Sequence, residues 1–317
     1  MKILVIGGAG YVGSVLVPEL KRIGHDVTVI DLLWFGNRLP LDINVIKRDA
    51  FELTVDELKE YEQIIFLAGL SNDPMAEFSP KQNFIQNASL PSYLTYLAKA
   101  ANVKRFIFAS SCSIYGNASE KKFRETDHVF SKYPYGIAKI QAEFVIQNLA
   151  DENFSTICLR KGTISGYSPR MRFDLVINSM VRSILLNNKI VINNPNIWRP
   201  ILSMQDAIMT YVKAIEAPYE ISGIFNIASD NYQLSEIGII IKDTLEKNGY
   251  QNIDIETKNI YDNRNYRVNC TYGKHMLDLE YKYKIKEIVE NLLLNKENFK
   301  DLNNKNYFNI EIFKTIM

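Results

Sequence analysis

Cysteine is scarce in this chain of 317 residues: Cys112, Cys158 and Cys270 lie far apart, form no metal-binding spacing and are odd in number. That argues against a disulfide framework or a bound metal and points to reduced thiols in a cytoplasmic protein. Long hydrophobic runs are also missing. None approaches the roughly 18 to 20 apolar residues that a bilayer span needs, so no membrane partner is expected. The opening run MKILVIGGAG breaks at glycine and reads as the start of a fold rather than a leader. Neither sign of charge dominates, with 37 Lys and Arg against 36 Asp and Glu. Bulk electrostatic binding to nucleic acid is therefore not expected. There is no internal repeat.

What is present alternates. Short apolar runs (KILVIG from Lys2, DVTVID from Asp26, INVIKRD from Ile43, QIIFLAG from Gln63, RFIFAS from Arg105, STICLR from Ser155) are separated by amphipathic stretches such as GSVLVPELKRIG and residues 87–102. This rhythm predicts βαβ units around a parallel sheet. Beyond Gly166, MRFDLVINSMVRSILLNN reads as one long helix, KIVIN as a short strand and GIFNIAS as a late strand returning to the main sheet. The expected architecture is α/β: a doubly wound parallel sheet over residues 1–164, with a return segment at about 199–229, and a smaller C-terminal lobe from 165–198 and 230–317.

The first turn reads GGAGYVG, Gly7 to Gly13. It satisfies both Gly8-x-Gly10-x-x-Gly13 and Gly7-x-x-Gly10-x-x-Gly13. Glycines are needed where a chain turns sharply from strand to helix and where a pyrophosphate approaches the amides at the positive end of that helix. Asp31 ends the second strand, where its carboxylate can accept both adenosine ribose hydroxyls and repel a 2′-phosphate. NAD is therefore expected rather than NADP. Asp49, after the third strand, is a candidate adenine contact.

Tyr135 and Lys139 stand four residues apart in YGIAK, on one face of an expected helix. A tyrosine titrates near 10 in ordinary surroundings. An adjacent ammonium and a positive nicotinamide would favour its phenolate, which could take a proton from a sugar hydroxyl.

Together with FLAGL after the fourth strand and SSCSIYG after the fifth, these features resemble the extended short-chain dehydrogenase/reductase family, in particular its nucleotide-sugar epimerases, dehydratases and reductases. Arg199-Pro-Ile-Leu-Ser-Met-Gln-Asp206 and Asp262-Asn-Arg-Asn-Tyr-Arg-Val268 extend the resemblance over almost the whole chain. It implies a Rossmann domain holding NAD, a C-terminal lobe holding a nucleoside-diphosphate sugar, and a homodimer packed through helices near 87–102 and 134–150. By the same resemblance the cofactor contacts are Gly7, Gly10, Tyr11, Val12, Gly13, Asp31, Asp49, Ala50, Leu67, Ala68, Gly69, Asn87, Tyr135 and Lys139.

In this family the catalytic hydroxyl stands four residues before the tyrosine of the x-Tyr-Gly turn, which is Ser111 counted from Tyr115. Its implied role is to hydrogen-bond the reacting oxygen, with Tyr135 as acid/base and Lys139 as its electrostatic partner. Members that epimerise at C3 and C5 carry a cysteine where this chain has Ser113. Cys112 is one place out of that register and, in an extended segment, would face away from the sugar. The 4,6-dehydratases have an Asp-Glu pair where this chain has Cys112 and Ser113. What remains is hydride chemistry at C4. Arg199 and Arg264 are implied to grip the diphosphate, with Asn178 as a further nucleotide contact and Ser71, Ser113 and Thr163 near the sugar. Two departures stand out: Thr163 where sugar epimerases often have asparagine, and Ser71 where hexose 4-epimerases place a lysine. The overall pattern also resembles bacterial capsule-type enzymes that oxidise GDP-linked heptoses at C4, which implies as the expected function an NAD-dependent 4-dehydrogenase of a GDP-linked hexose or heptose in bacterial surface-polysaccharide synthesis. The alternatives are a UDP-hexose 4-epimerase and a non-catalytic NAD-binding scaffold.

Overall fold

The short apolar runs at the centre of the sheet become strands buried on both faces, as a parallel sheet covered by helices requires, whereas the run from Ile43 forms a largely exposed edge. A computed structural model describes residues 1–116, 121–260, 264–299 and 301–317. Its main sheet has seven strands: β1 (Lys2–Ile6), β2 (Asp26–Asp31), β3 (Asn44–Lys47), β4 (Gln63–Phe66), β5 (Arg105–Ser111), β6 (Ser155–Lys161) and β7 (Gly223–Ile227). All are parallel, in the spatial order β7-β6-β5-β4-β1-β2-β3. The late strand of GIFNIAS is β7 and pairs with β6 at the sheet edge.

Alternation along β1 sends Ile3 and Val5 into one core and Leu4 and Ile6 into the other. On the first side lie α1 (Gly13–Arg22) through Leu16, Val17 and Leu20, and the helix Met204–Glu216 through Ala207, Tyr211 and Ala214. On the second lie α3 (Leu90–Ala100) and α4 (Pro134–Leu149), with Leu94, Ala98, Ala142 and Ile146. Strand order reverses between β1 and β4, so successive crossovers diverge there and leave a crevice beyond the strands' C-terminal ends. The short helix α2 (Asp73–Phe78) forms one wall of it.

A third core belongs to the later part of the chain. The helix α5 (Val176–Asn187), the helices Leu234–Lys247 and Ile285–Leu294, and the strand Lys189–Asn193 enclose Ile184, Ile192, Ile241, Ile288 and Leu292. The C-terminal helix α6 (Asn309–Ile316) buries Phe313 beside Trp34 and Phe78. Two boundaries differ from the periodicity. The helix expected from Met171 begins only at Val176, because Arg170, Arg172 and Asp174 turn into the crevice instead. The helix expected from Asn87 runs in from Pro80–Phe84 through a π-turn at Ile85–Ser89, whose extra residue re-aims Asn87.

Candidate active site

At the end of β1, Gly7 has a φ of 80° and its Cα faces Ala68, which a Cβ would meet at 2.5 Å. Gly7, Gly10 and Gly13 line the crevice, whereas Gly8 packs against Val29. The wider of the two glycine spacings is therefore the one that faces the cavity. Asp31 Oδ2 accepts from the Ala9 amide at 3.0 Å, and Oδ1 accepts from the Leu33 amide at 2.8 Å. Asp31 lines the crevice, and burial raises the carboxyl's pKa. Tyr11 lines the same wall while its phenol donates to the Gly166 carbonyl at 2.6 Å, tying the glycine turn to the later lobe. Val12, Asp49, Ala50, Leu67, Ala68, Gly69 and Asn87 line it as well. Asp49 also caps a 3₁₀ turn by accepting from the Phe51 amide.

Orphaned polar atoms test whether a dinucleotide suits this space. Asn87 is fully buried, yet its Oδ1 has no hydrogen-bond partner among the described residues; Arg170 stacks on Phe35 at 3.7 Å, and its Nε and Nη1 likewise have no hydrogen-bond partner among them. A buried guanidinium beside Asp31 and Tyr11 asks for an anion, and the glycine turn exposes amides to one. The cavity measures about 680 Å³. These residues fit a dinucleotide.

Ser111, Tyr135 and Lys139 meet at the other end of the crevice. Ser111 ends β5 in extended geometry, and its Oγ accepts from the Ser113 amide at 3.2 Å and from Ser113 Oγ at 3.0 Å. Residues 112–115 form a 3₁₀ turn rather than an extended segment, and the turn carries Cys112 inward. Its thiol donates to the Arg160 carbonyl at 3.0 Å, is fully buried and is pushed well up by burial. Tyr135 and Lys139 occupy successive turns of α4, with Lys139 Nζ 5.7 Å from the Tyr135 ring centre and donating to the Ala109 carbonyl at 3.1 Å. Burial, helped by the charge of Asp73 and opposed by a hydrogen bond with Ser111, pushes Tyr135 up to about 12. Burial, and then the nearby charge of Lys161, pulls Lys139 down to about 7.

On the sugar side Ser71, Ser113, Thr163, Arg199 and Arg264 all line the cavity. Arg264 Nη1 donates to Asp73 Oδ2 at 2.9 Å, and Arg199 Nη1 donates to the carbonyls of Trp198 and Arg264. Asp262 and Asn263 of that motif lie outside the described residues. Asn178 does not reach the cavity. Its Oδ1 accepts from the Gly166 amide at 3.0 Å and its Nδ2 donates to the Tyr11 phenol and the Arg172 carbonyl, so it braces the loop instead.

Sequence reading missed six residues that the fold brings to or beside this crevice. Lys161, pulled down to about 7 by burial, donates to the Tyr211 phenol at 2.8 Å in the cavity floor. Arg172 forms a bidentate pair with Asp174 at 2.8 and 2.9 Å, and Arg170 lies beside them. Arg160 and Glu143 form a buried ion pair at 2.7 Å that locks α4 against β6. The sequence signal was RMRFD itself, three charges in five residues, which is costly inside an amphipathic helix face.

The NAD dependent epimerase/dehydratase family model matches residues 3–228. The UDP-glucose 4-epimerase of Corynebacterium glutamicum is 31% identical over 154 residues, covering 47% of this chain and 47% of that protein. The chain thus spans about half the length of the curated relatives it matches. Among solved structures, the NAD dependent NDP-hexosamine 5,6-dehydratase TunA has a TM-score of 0.84 at 20% identity over 96% of this chain and 99% of that one. MoeE5 in complex with UDP-glucuronic acid and NAD has a TM-score of 0.79 at 24% identity over 92% and 97% of the two chains. These two likenesses show a shared fold.

Proposed function

Because the chain belongs to the NAD dependent epimerase/dehydratase family, we propose that it is a nucleotide-sugar 4-epimerase, with a UDP-linked sugar as substrate. The observation that supports this best is one continuous cavity with Gly7, Gly10 and Asp31 at one end and Ser111, Tyr135 and Lys139 at the other. UDP-sugar 4-epimerases among the relatives favour this reading over the GDP-linked 4-dehydrogenase expected from the sequence.

Held by the residues around the glycine turn, NAD would supply reversible hydride acceptance for C4. The chain does the rest. Asp31 and the amides of the glycine turn hold the adenosine ribose and pyrophosphate. The phenolate of Tyr135 takes the proton of the C4 hydroxyl, and Ser111 donates to the same oxygen as its charge develops. Burial holds Tyr135 at about 12 and Lys139 at about 7 in this structure, against the expected phenolate, so the phenolate would need both a protonated Lys139 and the positive charge of a bound nicotinamide. Epimerisation requires the 4-keto sugar to turn over before Tyr135 returns the proton; net oxidation requires it to leave. Ser71 and Thr163 depart from the residues of ordinary hexose 4-epimerases and so keep open a second reading, the 4-dehydrogenase of a GDP-linked hexose or heptose that the overall pattern resembles. Arg199 and Arg264 would receive the diphosphate in either case.

The protein is further proposed to work in the cytoplasm as a homodimer, because Tyr96 on α3 and Phe144 on α4 are 61% and 71% exposed on adjacent helices. Incubation with UDP-glucose and a panel of UDP-, dTDP- and GDP-sugars, followed by mass spectrometry in deuterated water, tests the reaction. An unchanged mass with inverted C4 supports epimerisation, and a loss of two mass units supports the dehydrogenase. Preparations that neither contain nor bind NAD(H) would sink both.

A further inference from the structure

A carboxylate stands in the sugar end of the cavity with one oxygen committed and the other idle. Asp73, the first residue of α2, is 8% exposed and lines the crevice. Its Oδ2 accepts from Arg264, while Oδ1 is buried without a hydrogen-bond partner among the described residues. The side chain is also held in place. Asn72 caps α2 by accepting from the Met75 amide and donates Nδ2 to Asp174 Oδ2 at 3.0 Å, which links α2 to the Arg172–Asp174 pair on the opposite wall. Arg264 in turn lies over the Tyr133 ring, two residues from Tyr135. Asp73 is close enough to Tyr135 for its charge to oppose the phenolate.

An ionised carboxylate oxygen removed from water and given no donor is costly. A group that arrives with the substrate and donates to it would recover that cost. A sugar hydroxyl is such a group, and it would enter beside Tyr135. A sugar carboxylate, in contrast, brings like charge to a confined site.

We propose that Asp73 Oδ1 reads a hydroxyl of the sugar, so that the site selects neutral hydroxylated sugars and rejects uronic acids. This rests on the nucleotide-sugar reading above. Arg264 then has two partners in sequence or together, Asp73 and the diphosphate, and Asp73 sets its place.

Calorimetric titration of wild type, Asp73→Asn and Asp73→Ala with UDP, UDP-glucose and UDP-glucuronic acid, and in parallel with GDP and GDP-mannose, tests it. NAD binding and melting temperature establish that the variants are folded. For the nucleotide that binds, wild type should hold the neutral sugar more tightly than the bare diphosphate. Both variants should lose about 10-fold or more of that gain, the scale of a hydrogen bond to a charged group, while the bare diphosphate changes by less than about 3-fold. UDP-glucuronic acid should bind wild type more weakly than UDP-glucose and should gain on it in the variants. Equal losses for sugar and bare diphosphate would mean that Asp73 acts only through Arg264, and unchanged affinities would mean that it reads nothing; either overturns the proposal alone. If none of these nucleotides bind wild type, the nucleotide-sugar reading fails and takes the proposal with it.

Discussion

Lys161 stands directly across from Ser111 in the register of β5 and β6, so a second ammonium of the cavity lies beside that hydroxyl. Burial depresses both Lys161 and Lys139 to about 7, and the charge of Lys161 adds to the fall at Lys139.

The sign of the consequence is set by proton counts. Below about pH 7 folded and unfolded chains both hold these protons, and burying them weakens the fold. From about 7 to the ordinary lysine value of 10.5 the unfolded chain holds protons that the folded one has lost, so stability rises with pH. Tyr135, pushed up to about 12, works the other way above its ordinary value of 10.0. The cofactor-free protein should therefore melt at higher temperature at pH 9 than at pH 7. Lys161→Met should shrink that rise, because it removes one depressed lysine and the charge that depresses Lys139. Parallel curves for the two proteins would contradict the assignment.

Tyr135→Phe should lower turnover by about 1,000-fold, within the range for loss of a general acid/base, and leave NAD binding intact. Cys112→Ala should keep turnover within about 3-fold, because the thiol faces the Arg160 carbonyl inside a core with Ile114 and Phe123. Steady-state rates beside nucleotide titrations check both. A dead Cys112→Ala protein that still folds would move the catalytic register by one residue.

Asp31→Ala should weaken NAD by about 10-fold or more and narrow the preference over NADP. Its carboxylate accepts from two amides, of Ala9 and Leu33, so the turn itself should loosen. Fluorescence titration with NADH and NADPH measures both affinities. A variant that loses both cofactors equally would reduce Asp31 to a purely structural role.

Phe144→Asp should turn a dimer into a monomer if α3 and α4 pair across a two-fold axis, since a carboxylate there would be buried against an apolar face. Light scattering after size exclusion reads the mass. A monomeric wild type, or a variant that stays dimeric, would place the contact elsewhere.

Much of this was legible because its causes are local. GGAGYVG must turn sharply, Asp31 ends a strand whose alternation is plain, and Tyr135 and Lys139 share a helix face whatever the helix packs against. Ser111 was reached by counting from Tyr115, although the segment between them is a 3₁₀ turn and not a strand. Asn178, implied by the resemblance as a nucleotide contact, instead spends its amide on Gly166, Arg172 and Tyr11, residues as many as 167 positions away.

The sequence by itself determined the parallel sheet, the sharp glycine turn and the shared helix face of Tyr135 and Lys139, since periodicity, glycine geometry and i, i+4 spacing act over a few residues. Only the tertiary structure decided what surrounds them. Lys161 meets Ser111 through strand pairing, Asp73 meets Arg264 across 191 positions, and Arg170 reaches Asp31 from the later lobe. Those encounters depend on burial and on which chains close the crevice, and burial is a property of the packed molecule rather than of any stretch of it.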